Sequence, residues 1–489
     1  MKTANDILTD VKVTKLLGSA EKALSGICFD SRKVTAGSAF VATRGTVVDG
    51  HTFIALAIEK GASVIVCEEL PSEISSDVTY ILVDDSAKAL GQICSNYYNR
   101  PSEKIKLVGV TGTNGKTTTA TLLYHMFRKL GYKAGLISTV VYYVDNKEVA
   151  ATHTTPDALQ LNALLLAMIE AGCEYCFMEV SSHSVVQHRI AGLKFEGGIF
   201  TNITHDHLDF HKTFDEYIKA KKLFFDGLPK GSFALINADD RNGKVMVQNT
   251  SAAVKTFALK SMATFHAKIL ESLFDGMLLQ IDRKEVWTHF IGEFNAYNLL
   301  GVYGTAVLLN QNPEEVLEVL SSLTSVSGRF EYIRSADGIT AIVDYAHTPD
   351  ALENVLKTIN QIRSGKEQVI TVVGAGGDRD KTKRPIMAKA AIKLSSKVIF
   401  TSDNPRSEEP SQIIADMLQG LDIAEQRQVL SIVDRREAIK TAIMLAQKGD
   451  IVLVAGKGHE NYQEIKGVKH HFDDKEIIHE LFQTLNNTH

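Results

Sequence analysis

No apolar run in this sequence approaches the roughly 18 residues that a membrane span needs, which argues against a helical membrane protein. The opening residues, Met1-Lys2-Thr3-Ala4-Asn5-Asp6, lead into mixed polar sequence with no signal-peptide core, so a cytoplasmic protein is expected. Cysteine is sparse and odd in number: five, at positions 28, 67, 94, 173 and 176 of 489. Such a set reads as reduced thiols, not as a disulfide framework. Cys173 and Cys176 form a C-x-x-C, the spacing of a redox pair or half a zinc site. No second C-x-x-C exists and Phe177-Met178 continue an apolar strand, so the pair is expected as small buried apolar residues. There is no large basic block, and the formal net charge is -5. Nucleic acid or another generic polyanion is therefore a poor partner, while a local phosphate site stays open. Repeats of roughly 20–50 residues and low-complexity tracts are also missing.

What remains is ordinary globular material, 44% apolar and 23% charged. At roughly 100–200 residues per domain, the chain length suggests about three domains. Strand-like apolar runs alternate with helical stretches, which predicts an α/β protein with largely parallel sheets. Punctuation divides it into 1–104, 105–327 and 328–489. The first part has short strand-like runs at 39–42 and 63–67 and closes on an Asn-Arg-Pro-Ser turn at 99–102. The second opens on a β-branched run at 105–110, continues with runs at 176–180, 198–201 and 233–236, and alternates over 254–291 as antiparallel strands do. The third begins near Ser327-Gly328-Arg329-Phe330 and has runs at 340–343, 369–373, 398–400 and 451–454. Each of these ends in a polar loop, at 344–347, 374–379, 402–406 and 455–460. Ligands of open α/β sheets bind at the carboxyl ends of strands, so the loops point to one crevice.

After the run at 105–110 comes Thr111-Gly112-Thr113-Asn114-Gly115-Lys116-Thr117-Thr118, then Leu122, Leu123, Met126, Phe127 and Leu130 at helical spacing. Strand, glycine loop, Lys-Thr and helix make a phosphate cradle. The glycines let backbone N–H groups approach phosphate oxygens, and the helix N-terminus adds partial positive charge. Lys116 would reach the β- and γ-phosphates, and the Thr117 hydroxyl would bind Mg²⁺. The strict G-x-x-x-x-G-K-[ST] pattern fails by one position, because residue 110 is Val.

Two further segments fall just after strand-like runs. One is Met178-Glu179-Val180-Ser181-Ser182-His183, the other Thr204-His205-Asp206-His207-Leu208-Asp209-Phe210-His211. A carboxylate and an imidazole beside a phosphate loop suit a divalent cation. With no cysteine near, Mg²⁺ is favoured over zinc. The stretch Tyr217-Ile218-Lys219-Ala220-Lys221-Lys222-Leu223-Phe224-Phe225, read by itself, is an amphipathic helix with three solvated lysines.

These motifs are joined in order by Gly292-Glu293-Phe294-Asn295-Ala296-Tyr297-Asn298, Gly328-Arg329-Phe330-Glu331 and Asp344-Tyr345-Ala346-His347-Thr348-Pro349. Together they span most of the chain, which resembles the Mur ligases, ATP-dependent amide-forming enzymes of peptidoglycan synthesis. The nearest likeness is to the MurE type, which adds the third residue to UDP-MurNAc-L-Ala-D-Glu. It is carried by Val185-Val186-Gln187-His188-Arg189 and by Gly376-Gly377-Asp378-Arg379-Asp380-Lys381-Thr382-Lys383-Arg384-Pro385. Asp403-Asn404-Pro405-Arg406 is similar to the motif of members that add meso-diaminopimelate.

The resemblance implies a small N-terminal α/β domain for the uridine nucleotide (1–104). A central P-loop ATPase-like parallel-sheet domain (105–327) and a C-terminal Rossmann-like α/β domain for the amino acid (328–489) would follow. It implies ATP on Gly112, Thr113, Asn114, Gly115, Lys116, Thr117 and Thr118, with Asn298 at the adenine and Arg329 and Asp344 completing the site. Mg²⁺ would be held by Thr117, Glu179 and His207, and by Lys221 as the lysine that this family carbamylates. Ser31, Thr46, Val47 and Asp49 would cradle the uridine nucleotide, and His153, Thr154, Thr155, Ser181, Gln187 and Arg189 the muramyl-dipeptide arm. The incoming amino acid would meet Arg379, Asp403, Asn404, Pro405, Arg406, Gly456 and Glu460. The implied activity joins meso-diaminopimelate to UDP-MurNAc-L-Ala-D-Glu through an acyl phosphate. Its catalytic groups would be Lys116, Lys221, Glu179 and His207, in a cytoplasmic monomer with no nucleic-acid or membrane partner. The alternatives are a ligase of the same type adding L-lysine or another amino acid, and a P-loop binding module without ligation.

Overall fold

The computed structural model describes residues 1–486 apart from 46, 47, 205 and 207. The first unit is a five-stranded sheet. Ile27–Cys28, Ala39–Val41, Val64–Cys67 and Thr79–Val83 run parallel, and Val13–Leu17 pairs antiparallel at the edge. The run Val64-Ile65-Val66-Cys67 is buried on both faces, as the absence of polar alternation dictates. Val64 and Val66 join one core with Ile81 and Ile93, and Ile65 and Cys67 the other with Phe40 and Tyr80.

The central sheet has eleven strands, with Lys106–Thr111 between Tyr175–Glu179 and Gly197–Phe200. The register sets Glu179 against Val110 and Phe200 against Thr111. The carboxyl ends of three neighbouring strands are therefore level, and the loops that leave them meet. Antiparallel hairpins close both margins. The expectation of antiparallel pairing over 254–291 holds from Ala267 to Thr288 only. Ala253–Ala258 pairs parallel with both of its neighbours. Its first four residues are exposed or half-exposed, and alternation reports such one-sided burial, not the direction of the partner strand. Cys173 and Cys176 are both buried and unpaired in this unit's core.

The third unit is a six-stranded sheet in the order Glu331–Arg334, Thr340–Asp344, Ile451–Ala455, Val369–Val373, Lys397–Phe400, Val429–Ser431; only the first pair is antiparallel. Asp344 and Val373 both register with Ala455, and Val373 with Phe400, so again the strand ends are level. Behind the sheet Arg435 makes a bidentate pair with Asp474, at 2.8 Å on each arm, with both side chains fully buried. The same guanidinium donates to the Ala455 carbonyl at 3.1 Å, tying two helices to a strand end. Asp474→Ala would leave an uncompensated buried cation and is expected to cost about 3–5 kcal/mol. Denaturant unfolding of the variant checks this, and a loss below about 1 kcal/mol would contradict it. Among the described residues no helix is long and apolar enough to cross a membrane.

Candidate active site

A cleft of about 970 Å³ opens between the level strand ends of the central and C-terminal sheets. Its floor is the glycine loop at 111–118, expected from its sequence to cradle phosphate. Gly112 and Gly115 take φ of 155° and 86°. A Cβ on Gly112 would stand 1.9 Å from the Thr201 hydroxyl, and one on Gly115 2.5 Å from the Asn298 amide oxygen. Glycine is thus required by close approach at both positions, and at Gly115 by a left-handed backbone as well. The loop is held from the next strand, where the Asn202 carbonyl accepts from Thr113 N and its amide oxygen from Asn114 N. The helix Lys116–Lys129 then begins at the loop's end and aims its N-terminus into the cleft.

Two lysines meet on this loop. Lys116 Nζ donates to the Gly112 and Thr113 carbonyls, at 2.9 Å each. Lys221 Nζ donates to the same Gly112 carbonyl at 2.8 Å and lies 4.7 Å from the centre of the Tyr217 ring. Burial lowers the pKa of Lys116, against the pull of Glu179 and Asp206. Burial and the charge of Lys116 push Lys221 well below the usual lysine value. Lys221 is 1% exposed, so the reading of three solvated lysines on this helix is corrected at that position. Tyr217, Ala220, Lys221 and Phe224 form the inward stripe of Phe214–Asp226, and Lys221 belongs to it by its i, i+3, i+4, i+7 spacing.

Glu179 is buried, and its carboxylate accepts from the backbone and hydroxyl of Thr139, at 2.7 and 3.1 Å. Thr117 and Glu179 both line the cleft. Among the described residues no group of three or more His, Cys, Asp or Glu is arranged around a metal position. One hydroxyl and one carboxylate nevertheless suit Mg²⁺, which takes few protein oxygens and completes its shell with phosphate and water. His207, Thr46 and Val47 lie outside the described residues.

The other walls come from all three sequence segments that follow. Asn298, half of the contact that forces Gly115, donates to Asn295 at 3.3 Å. Arg329 stacks over Tyr345 and donates to the Thr117 hydroxyl at 3.2 Å. Burial raises the Asp344 carboxyl to about 6, opposed by Arg329, and its oxygen accepts from Phe330 N at 2.7 Å. On the opposite side Thr155 donates to the Glu179 carbonyl and accepts from Ser181 N. The Thr155 carbonyl accepts from Arg189, which Gln187 grips through two bonds to one oxygen. His153 and Thr154 line the same wall.

The C-terminal loops form the far end. Asn404 donates to Glu460 at 2.7 Å, and the fully buried Lys457 reaches Glu460, Asn404 and the Tyr462 carbonyl. Burial and neighbouring Asp403 push the Glu460 carboxyl up. A Cβ on Gly456 would meet the Asp403 carboxylate at 2.4 Å. Arg406 donates to the Gly377 carbonyl at 2.7 Å and stands 3.8 Å from the Glu464 carboxylate, so it has partners without any substrate. Arg379 lines the cleft and is exposed.

The lining leaves out several residues singled out in the sequence. Gly112, Gln187 and Pro405 stand behind it, while Ser31 and Asp49 lie in the first unit. Ser31 is buried and begins a short 3-10 turn capped by Asp30. The Asp49 carboxylate accepts from His51 N at 3.0 Å. Conversely, Thr139, Asp206, Asp350, Lys383 and Lys457 were assigned no role by sequence reasoning. Thr139 follows a strand of the same sheet, which was a usable signal. Three of the others act across units: Asp350 accepts from Asn114 at 2.9 Å, and Lys383 pairs with Asp206 at 3.3 Å, while Lys457 joins two loops of the C-terminal unit.

Residues 110–306 match the family model of the Mur ligase middle domain, residues 328–458 that of the Mur ligase glutamate ligase domain, and residues 23–98 that of the Mur ligase family catalytic domain. The chain is 61% identical over 479 residues to a UDP-N-acetylmuramoyl-L-alanyl-D-glutamate–2,6-diaminopimelate ligase of Parabacteroides distasonis, covering 98% of this chain and 99% of that one. A ligase of the same name from Phocaeicola vulgatus is 60% identical over 476 residues, covering 97% and 98%. A solved structure of a ligase so named superposes with a TM-score of 0.69 at 31% identity, covering 99% of both chains. Matched in all three of its parts and along nearly its whole length, this chain belongs to the Mur ligase family.

Proposed function

We propose that the chain is an ATP-dependent amide ligase of peptidoglycan precursor synthesis. It adds meso-2,6-diaminopimelate to UDP-MurNAc-L-Ala-D-Glu and releases ADP and phosphate, acting in the cytoplasm as a monomer. The observation that carries the reading is the single cleft in which a phosphate loop, a lysine–carboxylate wall and the C-terminal arginine loops face one another. The curated relatives named for this reaction support the choice of substrates. In this reading residues 1–104 hold the uridine nucleotide through Ser31, Thr46, Val47 and Asp49. Residues 105–327 hold ATP, and 328–489 hold the amino acid.

A carboxylate is a poor electrophile. Attack of the D-Glu carboxylate on the γ-phosphorus breaks the bond to ADP and forms a mixed anhydride. The amine of the incoming amino acid then displaces phosphate, and the amide forms. Backbone N–H groups of Gly112–Thr118 and the Lys116 ammonium stabilise the charge that builds on the transferred group. Asn298, Arg329 and Asp344 orient the nucleotide, and Thr154, Thr155, Ser181 and Arg189 hold the dipeptide arm. Thr117, Glu179, His207 and, as its carbamate, Lys221 would hold Mg²⁺, which would supply charge neutralisation at the phosphates. The bonds Asn114–Asp350, Arg329–Thr117 and Lys383–Asp206 close the C-terminal unit against the phosphate loop, which keeps water from the anhydride.

The test is phosphate release by the full chain with UDP-MurNAc-L-Ala-D-Glu, ATP and a panel of amino acids. Release that depends on meso-diaminopimelate supports the reading. Release without any amino acid, or none at all, overturns it and favours a binding module. Arg406 is proposed to pair with the distal carboxylate that lysine lacks, by bidentate hydrogen bonds. Because Arg406 already has Gly377 and Glu464 as partners, lysine would not leave it bare. Selectivity therefore rests more on the gain with diaminopimelate than on a penalty for lysine. Arg406→Ala is expected to lower kcat/KM for diaminopimelate about 10–100-fold and to leave the value for lysine nearly unchanged. Equal losses for the two amino acids would remove Arg406 from the selective contact.

A further inference from the structure

Two loops of the C-terminal unit carry the arginines assigned to the incoming amino acid, Arg379 after Val369–Val373 and Arg406 after Lys397–Phe400. Arg384 lies behind both, fully buried in the first turn of Lys383–Leu394. Its two terminal nitrogens donate to the two oxygens of Glu408, at 3.0 and 2.8 Å. They also reach the Asp416 carboxylate at 2.7 Å and the Gly376 carbonyl at 3.2 Å. Glu408 in turn accepts from Asp378 N at 2.7 Å, and Asp378 accepts from the backbone and hydroxyl of Ser407, at 3.1 and 2.6 Å. The first loop and the second are thus stitched through one guanidinium and one carboxylate. At the two ends of that stitching stand non-glycine residues with left-handed backbones, Asp378 at φ 52° and Arg406 at φ 51°. L residues adopt this conformation when surrounding contacts over-determine it, and such positions cluster where a site must be held in shape. Arg384 holds the Glu408 carboxyl down at about 2, so the clamp is ionised at any working pH.

We propose that Arg384 and Glu408 are positioning residues for amino-acid selection: they set the spacing of Arg379 and Arg406 so that a substrate with a second carboxylate is received by both. This rests on the reading that the two arginines meet the incoming amino acid. The contacts of the clamp all lie within the C-terminal unit. A buried ion pair is a poor device for stability alone, since apolar side chains of similar volume hold a helix as well. The two loops also meet directly, through Gly377 N on the Asn404 carbonyl, Arg406 on the Gly377 carbonyl and Ser407 on Asp378, and what the pair adds is a fixed fork with both arms satisfied.

The experiment compares the full-length wild type with Glu408→Gln and Arg384→Lys. Glutamine keeps the shape of Glu408 and an acceptor for Asp378 N, but loses the charge that grips Arg384. KM for meso-diaminopimelate is expected to rise about 10–100-fold, the scale of a misplacement near 1 Å. KM for ATP and for the UDP substrate should stay within about twofold, and so should kcat/KM for L-lysine. The preference for diaminopimelate over lysine then falls by the same factor as the rise in KM. If Arg384→Lys fails to fold, the milder Glu408→Gln carries the test, with its melting temperature as the control. An unchanged KM for diaminopimelate in folded Glu408→Gln would overturn the proposal. So would parallel losses for all three substrates, which is the mark of a merely structural role. A wild type that does not prefer diaminopimelate would instead overturn the underlying reading, and the clamp's role with it.

Discussion

Replacing Lys116 with alanine is expected to cut amino-acid-dependent phosphate release by roughly 10³-fold, with the protein still folded. Its ammonium stands at the mouth of the helix Lys116–Lys129 and, among the described residues, is bonded to two carbonyls of its own loop. Removing it therefore breaks no long-range contact, and alanine is the best helix former at that position. The functional loss is of another size. The transferred phosphoryl group spreads negative charge over its oxygens, and a donor preorganised in a water-poor cleft is worth far more there than in bulk solvent. Burial lowers the Lys116 pKa while Glu179 and Asp206 sustain the charge, so the lysine is held ready to exchange carbonyl partners for phosphate. The measurement is phosphate release alongside circular dichroism. Near-normal turnover in a folded variant would remove the nucleotide from this loop.

The strand, glycine loop and helix at 106–129 were legible in the sequence although Val110 breaks the usual pattern. The information sits in a buried β-branched strand followed by Gly-Lys-Thr and a helical stripe, all within a short window. The crevice at the four C-terminal loops was legible for a related reason: parallel strands with level ends, as in the register of Asp344, Val373 and Phe400, bring together loops that sequence alone can place only one at a time. Sequence reading fell short where a property belongs to a pair of distant segments. The direction of Ala253–Ala258 depends on its neighbours, and alternation carries only exposure. The bond from Asn114 to Asp350 spans 236 residues, and neither residue type announces it. Arg406 has partners before any substrate arrives. The hairpin Tyr462–Ile465 with Val468–His471 supplies Glu464 beside it, a partner no local motif foretells.

Lys221→Ala should lower activity by roughly 10²-fold or more, and small carboxylates such as formate or acetate should restore part of it. The three lysines of this helix differ in burial, because Lys221 alone falls on its inward stripe. Lys219 is solvent-exposed and pairs with Glu216 at 2.8 Å, and Lys222 pairs with Asp226 at 2.6 Å one turn on. Such pairs are worth little, so alanine at either position is expected to leave activity within about twofold. Lys221 instead faces the phosphate loop, 2.8 Å from the Gly112 carbonyl and close to a second cation. A buried ammonium beside another ammonium is costly, and both burial and Lys116 favour the neutral amine. The neutral amine is the form that adds CO₂. Addition forms an N–C bond with loss of a proton and turns the site's second positive charge into an anion, suited to the divalent cation that phosphate transfer calls for. An added carboxylate can replace that anion in Lys221→Ala, but it cannot replace the ammonium missing from Lys116→Ala. Rescue of the first variant and not the second is therefore the signature of a carbamate. Equal tolerance at 219, 221 and 222 would return Lys221 to an ordinary helix position, and loss without rescue would leave it a role in packing the loop alone.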